Sequence, residues 1–203
     1  IRRLADEGYF KISALELNGK VIRIVQPLPS LWLFISEKWP FAVDHPHFKS
    51  ESPEHDVRLA EVFMRLEKLK CFRSFFTENL LQSSTALSED PRFRDLAKLQ
   101  SDGALNIQDT NGSLRLYAVE LELSKKSPER YRQKLSDYYL AKGLDGILYI
   151  APKPEISMAI SRIDSEICTD RPSLLRLCFE KSVLVDSSKI IFSNEGSPNV
   201  EFS

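Results

Sequence analysis

Hydrophobic positions along this chain form short runs of two kinds, and the order of the runs predicts a mixed α/β fold. From residue 52 onward, helix-like and strand-like runs alternate irregularly, which is typical of a sheet with helices against its faces. Strand-like runs cover 72–81, 103–108, 114–123, 146–151 and 190–192. Helix-like runs begin at Ser52 and cover 93–99, 128–141, 154–167 and 172–181, and a polar tail is predicted over 193–203.

The N-terminal part combines a short helix with a β-hairpin. Residues 1–8 predict the last turns of an amphipathic helix that Gly8 ends. Two strands, over 9–17 and 20–25, flank Asn18-Gly19, the dipeptide best suited to a type I′ turn.

A helix followed by a hairpin, with Arg2 and Arg3 on the helix, is the pattern of the second half of a winged helix-turn-helix. An ordinary helix-hairpin pair gives the same pattern. The chain opens in the middle of a helix, so we expect a fragment of a longer protein. The expected organisation is a truncated winged helix-turn-helix over 1–40, a proline-bearing linker over 41–53 and a second domain over 54–203.

Composition narrows the possible partners. With 203 residues, 42% hydrophobic content and a net charge of -1, the chain can build a core but does not bind nucleic acid through charge over its whole surface. Three widely spaced cysteines suit a reducing cytoplasm, and the longest apolar runs fall short of the ~20 residues of a membrane span. A local basic segment remains, and it consists of Lys125, Lys126, Arg130, Arg132, Lys134 and Lys142.

Three carboxylates are expected to converge at one edge of the sheet. Glu120 and Glu122 lie two positions apart in a strand, so both side chains face the same side. A turn at Asn111-Gly112 makes the strand starting after Asp102 the hairpin partner of this strand, which brings Asp102 beside the two glutamates. Such oxygen donors suit Mg²⁺ or Mn²⁺, and a metal held there would polarise a phosphate and acidify a bound water.

This arrangement resembles the PD-(D/E)xK nucleases, in which an acid at a strand start is followed by a turn, an acid at the end of the next strand and a basic helix. The closer resemblance is to the replication-relaxation family with its MOB-C plasmid relaxases, and it covers residues 1 to about 151. It rests on the run Glu120-Leu121-Glu122-Leu123-Ser124-Lys125-Lys126-Ser127, on Arg130-Tyr131, Lys134-Leu135 and Tyr138, and on His55-Asp56 at the start of the first helix.

The resemblance implies a restriction-endonuclease-like core, preceded by a partial winged-helix segment, and a divalent-cation-dependent enzyme. An enzyme of this family nicks one DNA strand at a plasmid transfer origin, and the resemblance implies the same activity for this chain. Asp102 and Glu120 match the two metal acids, and Glu61 matches the supporting helix acid. Ser101 stands where the motif's proline is usual, which affects only the turn. The metal set is therefore Asp102, Glu120, Glu122 and Glu61, with Mg²⁺ or Mn²⁺ as cofactor.

Glu122 departs from the family pattern, because a lysine is usual at its position. We expect Lys134, one helix later, to supply that positive charge, with Lys125 as second choice. Tyr138 follows Lys134 by about one helical turn, so both side chains can reach the same side. The catalytic set is therefore Lys134, Lys125, Glu122 and Tyr138, and the DNA-binding set is Arg2, Arg3, Lys125, Lys126, Arg130 and Arg132.

The implied partners are plasmid DNA at a transfer origin and an accessory mobilization or coupling protein, with no membrane segment, in the bacterial cytoplasm. Two other functions stay open. One is a non-catalytic DNA-binding regulator of replication or transcription on a nuclease-like scaffold, and the other is cleavage of both DNA strands in restriction or repair.

Simpler interpretations of single residues also stand beside these roles. Glu122 and Glu61 could be solvated charges, Lys134 could pair with Glu129 or Asp137, and His55 could be a capping neighbour. His45-Pro46-His47 with Tyr138-Tyr139 resembles the nicking enzymes in which a tyrosine attacks DNA. That motif must lie on a central strand, where proline cannot donate a ladder hydrogen bond. Here it lies in a proline-bearing loop, which argues against this interpretation.

Overall fold

The computed structural model describes residues 5–6, 8, 10–17, 19–27, 52–185, 189–194 and 197–203. Within them lie a two-stranded hairpin and a seven-stranded mixed sheet flanked by helices. The strands are β1 (Phe10–Leu17), β2 (Lys20–Pro27), β3 (Phe72–Thr77), β4 (Gly103–Gln108), β5 (Leu114–Leu121), β6 (Gly146–Ala151), β7 (Leu175–Phe179), β8 (Ile190–Asn194) and β9 (Ser197–Phe202). The helices are α1 (Pro53–Leu66), α2 (Glu78–Ser83), α3 (Thr85–Glu89), α4 (Pro91–Lys98), α5 (Pro128–Leu140), α6 (Pro154–Ile167) and α7 (Glu180–Leu184).

The strands of the large sheet lie in chain order from β3 to β9. Strands β3, β4 and β5 are antiparallel, β5, β6 and β7 are parallel, and the direction alternates again through β8 and β9. Each parallel step is bridged by a helix, α5 between β5 and β6 and α6 between β6 and β7. The predicted mixed α/β class, with a mixed sheet and flanking helices, is confirmed.

Strand β5 has apolar side chains on both faces, which places it in the middle of the core. Leu116 and Ala118 pack with α4, α5 and α6, while Val119 and Leu121 pack with α1 and the β8–β9 hairpin. This alternation is the one that the sequence predicts. Consecutive residues of one strand therefore stabilise two separate hydrophobic layers.

Several helices begin at a side-chain cap followed by proline. The hydroxyls of Ser52 and Ser127 accept from the backbone N–H groups of His55 and Arg130, and proline follows each cap. Proline lacks an N–H that the first turn would leave unpaired, so this sequence fixes the helix start. The cap at Ser127 sets where α5, and with it Lys134, lies against the sheet.

The predicted N-terminal hairpin is confirmed, with Leu17 and Lys20 paired across Gly19, whose φ of +73° suits glycine. Arg2, Arg3 and the histidines at 45 and 47 lie outside the described residues. Of the helices in the described part of the chain, none is long and apolar enough to cross a membrane.

Some predicted elements are wrong in type or length. Residues 172–181 form strand β7 and the start of α7 instead of one helix, because a strand buried on both faces lacks alternation. The polar tail contains strand β9, whose Phe202 is fully buried. Strand β3 stops at Thr77, where α2 begins, and β5 stops at Leu121, so Glu122 lies just past the strand.

Candidate functional site

Asp102 and Glu120 lie side by side at one end of the β4–β5 pair. The register pairs Gly103 with Val119, so the residues next to them, Asp102 and Glu120, are neighbours across the two strands. Both side chains are buried, with 9% of each residue exposed. The convergence that the hairpin pattern predicts is therefore present in the structure.

The carboxylate of Asp102 is fixed by the backbone and by a histidine. Its Oδ2 accepts from the backbone N–H of Leu121 at 2.7 Å and lies 3.3 Å from Nε2 of His55. The same Nε2 is 3.1 Å from the carbonyl oxygen of Leu121. Because a carbonyl only accepts, Nε2 carries the hydrogen. His55 thus links helix α1 to both strands at the site.

The carboxyl group of Glu120 has two partners from helix α5. Its Oε1 accepts from the hydroxyl of Tyr138 and lies 3.2 Å from Nζ of Lys134. Burial raises the pKa of Glu120 to about 8, and the charge of Asp102 adds to this rise, while Lys134 and the Tyr138 hydroxyl act against it. A nearby positive charge therefore strongly stabilises the ionised form of this carboxyl group.

Lys134 connects the two acidic positions. Its ammonium group donates to the carbonyl oxygens of Leu99 at 2.8 Å and Gln100 at 3.0 Å, just before Asp102, and it also faces Glu120. These three contacts match the three donors of an ammonium group. Lys134 of α5, which is expected to supply the positive charge, lies beside Glu120, and its contact is with Glu120 rather than with Glu129 or Asp137.

A small cleft of about 60 Å³ opens beside these groups. Glu122 and Lys126 lie in its wall, with Nζ of Lys126 3.5 Å from Oε1 of Glu122. Tyr131 accepts from the backbone N–H of Lys126 at 2.9 Å and so holds that segment against α5. The lining is Gln100, Asp102, Glu120, Leu121, Glu122, Lys126, Arg130, Tyr131, Lys134 and Tyr149. One end of the sheet thus combines three acids with three cationic side chains.

The structure does not bring every predicted residue to this cleft. Glu61 does not line the cleft. Its negative charge instead repels that of Glu180 and so helps burial to raise the pKa of Glu180. Lys125 is exposed and also outside the lining. Arg132 points to α6, where its Nη2 lies 2.6 Å from Glu166. Glu61 was expected to be the helix acid beside Asp102, but the residue of α1 that contacts Asp102 is His55. The only feature of the sequence that pointed to His55 was its position in the first turn of α1.

Asp102 and Glu120 are the residues that could hold a divalent cation of the Mg²⁺ type. Within the described residues, no group of three or more His, Cys, Asp or Glu side chains is arranged to hold a metal ion. Mg²⁺ usually takes only one or two carboxylates and completes its shell with water and phosphate oxygens. Asp102 and Glu120 supply two, and among the described residues their Oδ1 and Oε2 atoms take no hydrogen bond.

Comparison of the chain with models of protein families, with curated proteins and with solved structures finds no match.

Proposed function

We propose that this chain is a metal-dependent DNA endonuclease of the relaxase type, which nicks one strand at a plasmid transfer origin. The proposal includes a PD-(D/E)xK-like core and a winged-helix segment ahead of it. The observation that carries it is the meeting of Asp102, Glu120 and Lys134 in one cleft, from two strand ends and a following helix. That is the constellation implied by the nuclease resemblance, with the lysine moved to α5.

Asp102 and Glu120 would hold Mg²⁺ or Mn²⁺, which supplies Lewis-acid polarisation of the phosphate when bound. The chain's own groups prepare that site. His55 and the Leu121 N–H orient Asp102, and the Tyr138 hydroxyl orients Glu120. The ammonium of Lys134, 3.2 Å from Glu120, adds a positive charge close to where charge develops in the transition state.

Tyr138 acts in this proposal as a positioning residue. Its side chain is 0% exposed and its hydroxyl is bonded to Glu120. Burial also raises the pKa of this phenol well above its ordinary value, which opposes formation of a nucleophilic phenolate. We therefore propose hydrolytic nicking by water, without an adduct on Tyr138.

Lys126 and Arg130 line the cleft on the side of α5. In this proposal they contact the phosphates flanking the scissile bond. Such contacts fix the register of the strand but carry no sequence information. Exposed Lys125 extends this basic surface. DNA at a transfer origin, with an accessory mobilization or coupling protein, completes the proposed set of partners.

The test is nicking of supercoiled plasmid that carries the cognate origin, with Mn²⁺, by wild type and by Asp102→Asn and Glu120→Gln. We expect both variants to lose nicking and to lose Mn²⁺ binding in calorimetry. Glu67→Gln, an exposed change at the end of α1, is the matched control and retains both. Nicking at the wild-type rate by either site variant would refute the assignment, and cutting of both strands would indicate restriction-type cleavage.

A second function is favoured by one observation, namely that all three donors of Lys134 already have partners. A saturated ammonium can serve as a structural link between α5 and the segment before β4. In that case the chain is a non-catalytic DNA-binding regulator on a nuclease-like scaffold. Such a regulator binds origin DNA equally well with EDTA or Mn²⁺, and Asp102→Asn leaves its DNA affinity unchanged.

A further inference from the structure

Three buried tyrosines lie in or beside the cleft, and the hydroxyl of one of them has no partner. Tyr138 donates to Glu120, and the Tyr131 hydroxyl accepts from the backbone N–H of Lys126 at 2.9 Å. Tyr149 lines the same cleft, and within the described part of the chain its hydroxyl makes no hydrogen bond. This hydroxyl can therefore bind a molecule that enters the cleft.

Tyr149 lies directly beside Glu120 in the sheet. The parallel register of β5 and β6 pairs the two residues, so their side chains share one face of the sheet. The residue is 2% exposed, and its ring belongs to the hydrophobic layer that also contains Tyr131 and Tyr138. Its hydroxyl is not one of the fully enclosed, unpaired polar atoms of the described residues. Since Tyr149 lines the cleft, the open part of its side chain faces the cleft.

Packing alone does not explain this hydroxyl. All six residues of β6 are buried, and Tyr149 is the one among them with a polar side chain. Phenylalanine would supply the same ring without a polar atom that leaves bulk water and gains no partner in the protein. A ligand in the cleft gives the hydroxyl the partner that the described residues do not provide.

The size and the charges of the cleft restrict that ligand. Its volume of about 60 Å³ is far below the ~300 Å³ of the smallest typical sites for organic molecules, and a water molecule takes about 30 Å³ in the liquid. The cleft therefore has room for a small ion with a few waters. Asp102 and Glu120 favour a cation, and Mg²⁺ or Mn²⁺ keeps several waters when one or two carboxylates hold it.

We propose that the hydroxyl of Tyr149 accepts a hydrogen bond from a water carried by a divalent cation at Asp102 and Glu120. The inference rests on the metal-dependent function proposed above and adds a residue to its metal site. A water on a cation is a hydrogen-bond donor, and a phenol oxygen is an acceptor. Tyr149 is a positioning residue, because it acts on the cation through this water. Partners of this outer kind typically change metal affinity by about 10–100-fold.

The test is a calorimetric titration of the metal-free chain with Mn²⁺ at pH 7.5, without DNA, for wild type, Tyr149→Phe and Tyr117→Phe. We expect Tyr149→Phe to bind Mn²⁺ at least about ten-fold more weakly than wild type. Tyr117 is the matched control, because it is 7% exposed, packs against Phe202 on the other face of the sheet and does not line the cleft. Tyr117→Phe should keep the affinity within about two-fold of wild type.

Urea unfolding in EDTA separates the role in binding from a role in folding. Tyr149→Phe removes no hydrogen bond within the described residues, so its unfolding midpoint should equal or exceed that of wild type. Tyr138→Phe removes the hydroxyl that donates to Glu120, so its midpoint should fall. A fall for Tyr149→Phe as large as that for Tyr138→Phe would overturn the inference, because the hydroxyl would then have a partner in the folded chain.

The calorimetric outcomes also distinguish this inference from the endonuclease proposal. Equal Mn²⁺ affinities of wild type and Tyr149→Phe would overturn the role of Tyr149 and leave the metal site at Asp102 and Glu120 standing. Equal weakening by Tyr149→Phe and Tyr117→Phe would also overturn it, since the effect would not depend on the cleft. Absence of Mn²⁺ binding by wild type would remove the proposed metal site and the role of Tyr149 with it.

Discussion

Replacing Glu120 by glutamine should change how the stability of the metal-free chain depends on pH. Burial raises the pKa of Glu120 from 4.5 to about 8. The folded chain then keeps a proton that the unfolded chain loses. The contribution of Glu120 to the free energy of unfolding is fully present below pH 4.5 and is lost as the pH rises towards 8. Glutamine retains an acceptor for Tyr138 but does not titrate.

The size of the effect follows from the two pKa values. Linkage gives about 1.4 kcal/mol per pH unit between them, so a folded pKa of about 8 predicts that wild type loses roughly 2.5 kcal/mol relative to Glu120→Gln between pH 5 and pH 7. Lys134 lies 3.2 Å away and favours the charged form, so the pKa of about 8 already includes its opposing effect.

The assay is urea unfolding followed by circular dichroism, in EDTA at pH 5 and pH 7, for wild type, Glu120→Gln and Glu67→Gln. We expect the free energy of unfolding of Glu120→Gln to rise relative to wild type at the higher pH. The exposed control should follow wild type within about 0.5 kcal/mol, as surface changes usually do. A constant difference between wild type and Glu120→Gln across both pH values would refute the assignment of a raised pKa to Glu120.

Three further predictions concern the surroundings of the site and the core. Tyr138→Phe removes the hydroxyl that donates to Glu120 and should cost about 1–3 kcal/mol in urea unfolding at pH 8, with a smaller cost at pH 5, where Glu120 is neutral. Asp164→Asn, at a carboxylate that is 1% exposed and accepts from Tyr139, should cost about 1–3 kcal/mol, whereas exposed Glu155→Gln should have little effect; equal effects would contradict this role. Burial raises the pKa of the Cys178 thiol to about 11, so its alkylation at pH 8 should be far slower in the folded chain than in urea, and equal rates would contradict its burial.

Local sequence patterns were sufficient to predict the pairing of Asp102 with Glu120. The two acids flank one hairpin, and the turn at Asn111-Gly112, with φ of +84° at Gly112, sets which strand residues are paired. Helix α5 follows directly, and its cap at Ser127 fixes where Lys134 lies. All of these contacts join elements that are consecutive in the chain, so turn chemistry and helix periodicity determine them.

The contacts that the sequence did not predict join elements far apart in the chain. His55 reaches Leu121 across 66 positions, and nothing in the first turn of α1 indicates which strand end it meets. Strand β7 is paired in parallel with β6 and has a buried residue on each face, so its pattern resembles a helix. Strand β9 has only a few apolar residues, and Phe202 becomes buried through contact with Tyr117 of β5.

The stability argument for Glu120 also bears on its function. A carboxyl group with a pKa of about 8 in the folded chain destabilises the fold at neutral pH relative to a neutral isostere. Selection for stability alone does not explain such a group, because buried ionic groups can often be replaced by apolar ones without loss of folding free energy. Sites where a chain departs from rules of stable packing are often sites of binding or chemistry. If Glu120→Gln is more stable than wild type at pH 7 and has lost Mn²⁺ binding, both results have one physical cause, namely a buried acid that needs a cation.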